Sequence, residues 1–203
     1  RWGWYPEGGG EAGVEVTGRP GQALSPLRLS ERGELRQLWG LSASANLPGH
    51  VAERQWRRAE ELLREPGFVA RFQVVRDSPG GGKEDREATM RGTGSTLLLV
   101  AECDGLAAGF SALGERGKPA ERVAEEAVED FLHWWRSGAA VEMHLADQLL
   151  LPLALADGPS SFTTCRITQH LLTNAWVIQQ FLPVRIEVQG QEGEAGSVCV
   201  RPG

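Results

Sequence analysis

Cysteine is scarce in this sequence and suggests no pairing: Cys103, Cys165 and Cys199 are widely separated, odd in number and without a CxxC pair. Neither a disulfide framework nor a cysteine-based zinc site fits that pattern, which reads as three reduced thiols. Positive charge is short as well. With 21 Lys and Arg against 27 Asp and Glu, the net charge is −6, so broad attraction to a duplex backbone is not expected and any nucleic-acid contact should be local, as to a single strand end. Long apolar runs are missing: the longest, near 149–156, is too short to span a bilayer, and no charged start leads into a signal core. The expectation is a cytoplasmic protein with no membrane contact. The chain opens with Arg1 in "RWGWYPEGGGEAG", without an initiator methionine, and reads as part of a longer protein.

What is present is ordinary for a folded chain of one or two domains: 41% hydrophobic and 24% charged residues over 203 positions, enough to bury a real core. The spacing predicts strands at "GVEV" (13–16) and "GELRQLWGLSASA" (33–45), where apolar and polar residues alternate. An amphipathic helix follows over 47–65, with Val51, Ala52, Gln55, Trp56, Ala59, Leu62 and Leu63 along one face. "FVARFQVV" (68–75) reads as a strand, and the glycine-rich stretch 76–94 as a mobile loop. "STLLLVAEC" (95–103) and "GFSALG" (109–114) suit a hairpin turning at Asp104 and Gly105.

A second helix is predicted over 118–138, with Pro119 in its first turn, Gly138 ending it, and Val123, Ala127, Val128, Phe131, Leu132 and Trp135 on one face. Residues 139–156 read as helical at least to Pro152, which should kink or stop the helix. Then come a strand over 161–168, a short helix over 174–182 capped by Thr173 or Asn174, and a strand over 184–190. Alternation of this kind favours an α/β or α+β fold of helices on sheets.

The familiar nucleotide and hydrolase signatures are absent. "PEGGGEAG" and "SPGGGK" lack the GxxxxGK[ST] spacing, and Lys83 is followed by Glu84 rather than a hydroxyl. "RGTGST" (91–96) has GxG without the third glycine and precedes a strand instead of joining strand to helix. No GxSxG elbow, HExxH pair or KxDG lysine occurs. Two polar clusters remain inside apolar surroundings. One is "HLADQ" (144–148), where His144 and Gln148 share a helical face beside Asp147. The other is His170, at a junction from strand to helix close to helix-start N–H groups. By residue type alone His170 reads as a hydrogen-bonded structural histidine ahead of a nucleophile, and Asp147 and Gln148 equally as a plain polar face.

Six blocks change that balance. "YPEGGGE" (5–11), "GHVAER" (49–54), "GTGSTLLLVAE" (92–102), "ALGERGKPAERVAEEA" (112–127), "HLADQLLLPLALA" (144–156) and "HLLTNAWVIQQFLPV" (170–184), in this order, together resemble the RNA 3'-terminal phosphate cyclase family. The resemblance spans nearly the whole chain. It implies repeated units, each a four-stranded sheet backed by two helices, with a smaller inserted α/β domain. On that basis residues 1–45 and 138–203 belong to the large domain and 46–137 to the insert.

The same resemblance implies a reaction. ATP adenylates a histidine, AMP passes to the 3'-phosphate of an RNA end, and the adjacent 2'-hydroxyl closes a 2',3'-cyclic phosphate with release of AMP. His170 aligns with the histidine nucleophile, and the segment His144, Leu145, Ala146, Asp147 and Gln148 with an ATP-contacting block. Neutral imidazole is a competent nucleophile near pH 7, while a divalent metal, magnesium or manganese, and N–H donors would offset phosphoryl charge. Gln148 is expected to hydrogen-bond the nucleotide and Asp147 to orient His170 or a metal-bound water. The family's part upstream of "YPEGGGE" has no counterpart here, so this chain alone is expected to leave the ATP site incomplete and to be inactive or aggregation-prone. Two alternatives stand beside this one: a noncatalytic cyclase-like protein of ribosome biogenesis, and an enolpyruvyl transferase built from similar units.

Overall fold

In the computed structural model, residues 3–4, 6–15, 21, 23–77 and 92–203 are described. Most of the expected loop over 76–94 lies outside them. The chain divides into two compact units, one formed by 1–16, 35–102 and 109–131, the other by 17–34, 103–108 and 132–203. Both hold a four-stranded sheet, and helices and strands alternate along the chain as an α/β or α+β fold requires.

The first unit is built around β2 (Leu35–Ala45), which runs into α1 (His50–Arg64) and then β3 (Arg71–Asp77). β2 and β3 pair in parallel with Trp39 opposite Arg71, so α1 is the crossover that parallel strands need. β4 (Gly94–Cys103) and β5 (Leu106–Leu113) complete the order β3-β2-β4-β5. They are joined by the expected turn at Asp104 and Gly105, where Gly105 has φ +83°. Burial follows position in the sheet. The end of central β2, from Ser42 to Ala45, is buried at every residue, whereas edge strand β5 alternates, burying only Ala108, Phe110 and Ala112.

Two local demands shape this unit. Gly40 lies opposite Phe72 in the register of β2 and β3, and a Cβ at position 40 would stand 2.3 Å from the Phe72 ring. Only glycine fits there. The fully buried Gln55 on α1 is held by hydroxyls: its Nε2 donates to Ser95 Oγ at 2.9 Å, and its Oε1 lies 3.0 Å from Ser42 Oγ, which is 2.9 Å from the Ala52 carbonyl. Such a buried amide is tolerated because its polar atoms are satisfied. On the outer side, Arg54 and Arg58, one turn apart on α1, pair with Glu121 and Glu125 of α2 (Ala120–Ser137) at 2.7 and 2.9 Å.

The second unit orders β1 (Arg28–Leu29), β6 (Ser160–Thr164), β8 (Gly196–Pro202) and β7 (Val184–Gln189) as β1-β6-β8-β7. β1 is parallel to β6, and the remaining pairs are antiparallel, with Phe162 opposite Val198 and Ile186 opposite Val200. These four side chains form one buried cluster with Ala146, Leu150, Leu153, Ile167, Leu171 and Ala175 from α3 (Met143–Gln148), α4 (Leu150–Ala154), α5 (Gln169–Phe181) and the segment before α5.

Several expectations are corrected. Residues 13–15 form no strand, and Val16 lies outside the described residues. β3 begins at Arg71 rather than 68. On α2 it is Trp134, not Trp135, that is fully buried; the Trp135 ring instead carries the Arg32 guanidinium 4.0 Å from its centroid. The helical stretch expected from 139 starts at Met143, because Val141 pairs with Thr164 in an isolated bridge and Glu142 caps the helix. Pro152 does not end the helix; the interruption falls at Leu149, and Pro152 sits in the first turn of α4, where a missing N–H costs least. α5 begins at Gln169 with Thr168 as its cap, so neither Thr173 nor Asn174 caps it. β1 and β8 were not anticipated.

Two measurements follow from the first unit. Gln55→Ala leaves Ser42 its bond to the Ala52 carbonyl but strands the buried Ser95 hydroxyl, and should lower unfolding free energy by about 1–3 kcal/mol, seen as a fall in urea midpoint at unchanged slope. Glu121 is held below the usual carboxylate value, first by its hydrogen bond from Arg54. A carboxylate favoured as the anion in the folded state stabilises fully above its unfolded pKa of about 4.3 and loses that contribution as pH falls through the lower folded value. The difference in Tm between the unmodified protein and Glu121→Gln should therefore be largest near neutrality and shrink as pH falls through the lowered value of the carboxyl.

Candidate functional site

Two helix starts assemble the polar residues of the second unit. At α3 the Glu142 carboxylate, itself 8% exposed, accepts from the backbone N–H of His144 at 2.7 Å and of Leu145 at 2.5 Å. Both amides would otherwise be orphaned in a six-residue helix. At α5 the Thr168 hydroxyl accepts from the Leu171 N–H at 3.1 Å, which places His170 in the first turn, within the helix rather than at a junction before it. Leu171 points into the core and anchors that turn.

The consequence is a contact between α3 and α5. His170 Nδ1 hydrogen-bonds Asp147 Oδ2, and Asn174, one turn after His170, brings its Nδ2 to 3.5 Å from the same oxygen and 3.4 Å from Nδ1. Asp147 is largely covered at 12% side-chain exposure, while the His170 side chain is 76% exposed. The covered carboxylate thus holds one edge of a ring whose other edge is open. In the neutral imidazole, Nδ1–H donating to Asp147 leaves the lone pair on Nε2. Asp147 Oδ1 has no hydrogen-bond partner among the described residues.

The remaining residues of the 144–148 block divide by face. His144 and Gln148 are exposed, Leu145 packs against the core cluster, and Ala146 is fully buried within it. The side chains of Leu145 and Ala146 are therefore spent on packing. Glu142 and Asn174 were missed as parts of this arrangement: glutamate is not among the preferred capping residues, and Asn174 reads from sequence as a cap. Cys165 offers no rival nucleophile. Burial first, and then the Glu142 charge, push its thiol up to about 11, so it stays protonated near neutral pH.

No group of three or more His, Cys, Asp or Glu among the described residues forms a metal-binding set. An ion carried on nucleotide phosphates needs only one or two protein carboxylates, and the unpartnered oxygen of Asp147 is a donor of that kind. Among the described residues no helix is long and apolar enough to cross a membrane.

Comparison with known proteins agrees with the resemblance in the sequence blocks. The family model described as "RNA 3'-terminal phosphate cyclase (RTC), insert domain" matches residues 30–136, a stretch that includes β2. Proteins named RNA 3'-terminal phosphate cyclase are 43% identical over 204 residues in Methanopyrus kandleri, 43% over 200 in Methylococcus capsulatus and 41% over 190 in Nostoc punctiforme. These alignments take in 100%, 98% and 92% of this chain but 56%, 52% and 50% of the relatives, so the chain spans about half the length of the curated relatives it matches. By the family model and these similarities, the chain belongs to the RNA 3'-terminal phosphate cyclase family.

Proposed function

We propose that this chain carries the nucleophile of an ATP-dependent enzyme that converts an RNA 3'-phosphate into a 2',3'-cyclic phosphate through a histidine-AMP intermediate. The observation that carries the reading is the pairing of an exposed His170 ring with a covered Asp147 through Nδ1. A nucleophile needs a free lone pair, a fixed tautomer and access, and this pairing supplies all three. The relatives' printed name supplies the substrate class, an RNA 3'-terminal phosphate.

In this reading the Nε2 lone pair of His170 attacks the α-phosphorus of ATP. The N–P bond forms as the bond to the departing pyrophosphate oxygen breaks. Asp147 keeps the proton on Nδ1 and offsets the positive charge that develops on the ring, the part a carboxylate plays beside a histidine in other group-transfer sites. An oxygen of the RNA 3'-phosphate then attacks the phosphorus of the adduct and imidazole leaves, regenerating His170. Finally the neighbouring 2'-hydroxyl oxygen attacks the terminal phosphorus, its proton passes to solvent, and AMP departs as the cyclic diester closes. Magnesium or manganese bound with the nucleotide would offset phosphate charge, with Asp147 Oδ1 as its protein donor. The position of His170 in the first turn of α5 also sets developing phosphate charge near the positive end of a thirteen-residue helix. Gln148 and His144, exposed on one face of α3 beside Asp147, are the side chains of that block free to hydrogen-bond the nucleotide.

The test uses the complete protein that carries these residues, incubated with ATP labelled at the α-phosphate. An acid-labile AMP adduct should form and should be abolished in His170→Ala; equal labelling of the two proteins would overturn the mechanism. Asp147→Asn keeps the shape but no longer accepts from Nδ1–H as a carboxylate, and should slow adduct formation by roughly 100-fold or more. A protein that takes up no AMP at all would instead favour a noncatalytic member of the family.

A further inference from the structure

The first unit contains a cavity of about 560 Å³ that the proposed reaction does not use. Leu47, Val51 and Pro119 supply apolar wall, Arg54, Arg116 and Lys118 supply cationic groups, and Glu115 a carboxylate. Its volume falls within the range of about 300–1,000 Å³ typical of small-molecule sites. The first turn of α1, which has no side-chain cap, and the segment leading into α2 both line it, so the partial positive ends of two long helices face the same space.

The cations differ in availability. Arg54 is engaged by Glu121, and Lys118 by Glu126 and the Leu113 carbonyl. Arg116 is exposed and has no partner among the described residues. The wall at Gly94 is bare backbone because the Trp4 indole lies directly behind it: a Cβ there would stand 2.2 Å from the ring, and the buried Trp4 Nε1 has no hydrogen-bond partner among the described residues. An apolar face for a flat ring, a free guanidinium for an anion and a carboxylate for hydroxyl or amino donors are the three recognition elements of a nucleotide.

The geometry points to a second nucleotide-binding subsite in this cavity, occupied by one nucleotide of the RNA strand. The base lies on Leu47, Val51 and Pro119, the phosphate meets Arg116, and Glu115 accepts from the sugar or base. This rests on the reading of the protein as one that acts on RNA. It concerns binding alone and involves no bond change.

Fluorescence anisotropy of a labelled, 3'-phosphorylated single-stranded oligoribonucleotide with the full chain tests it. Arg116→Glu, at an exposed position, should weaken binding about tenfold, and Arg116→Ala should reduce the slope of log affinity against log salt by about 0.7, the signature of one lost single-strand phosphate contact. Val51→Trp, which fills the cavity, should weaken binding similarly while leaving the circular dichroism spectrum unchanged. Binding that ignores both Arg116→Glu and Val51→Trp would overturn the subsite. Displacement of the strand by free AMP, with no dependence on Arg116, would overturn its assignment to the RNA chain. His170→Ala should leave this binding intact, so absence of an AMP adduct counts against the cyclisation mechanism and not against the subsite.

Discussion

Glu142 gives both carboxylate oxygens to the first amides of α3, and the rest of the candidate site depends on that cap. A six-residue helix cannot sustain itself by backbone bonds alone. Pinned at its start, α3 delivers Asp147 to its last turn, where the helix end is negative and a carboxylate is unfavourably placed. The His170 N–H and the Asn174 amide offset that, which explains why a carboxylate persists at a covered position. Thr168 does for α5 what Glu142 does for α3. With both starts fixed, the approach of Asp147 to His170 is a matter of helical register and needs no adjustment of long, flexible side chains.

The two units solve burial differently. In the second, Phe162, Ile186, Val198 and Val200 on the sheet meet Ala146, Leu150, Leu171 and Ala175 on the helices, an apolar core throughout. In the first, the centre of the α1 face is a glutamine between two serines. Small residues at the end of β2, from Ser42 to Ala45, let α1 approach closely enough for Gln55 to reach both neighbours. A polar knot of this kind fixes one register of helix on sheet, since sliding by a turn would leave every member unsatisfied.

The long amphipathic segments were legible because their periodicity is carried by burial: α1, α2, β4 and β5 fall close to where apolar spacing places them. Short elements were not. β1 has two residues, and although β8 has seven, its alternation is confined to residues 197–200, between Gly196 and the Arg201-Pro202 end, so neither presents a pattern long enough to read. The start of α5 was misjudged because Thr168 lacks the Glu or Gln three residues on that would complete a capping box; Leu171 occupies that place. Of the site, His170 and Asp147 were legible only through family resemblance. Residue type favoured a structural histidine, and the contact that makes another role plausible joins positions 23 apart in sequence. No local pattern encodes such a pairing.

Gly40 and Phe72 face each other across parallel strands, with the aromatic ring occupying the volume that a side chain at position 40 would need. The two positions therefore behave as one lattice site shared between neighbours. A lineage can move the bulk from β3 to β2 only by shrinking residue 72 before residue 40 grows, because the reverse order passes through a clash in the middle of the sheet. A single glycine so placed gives sequence drift at this strand pair a direction as well as a limit.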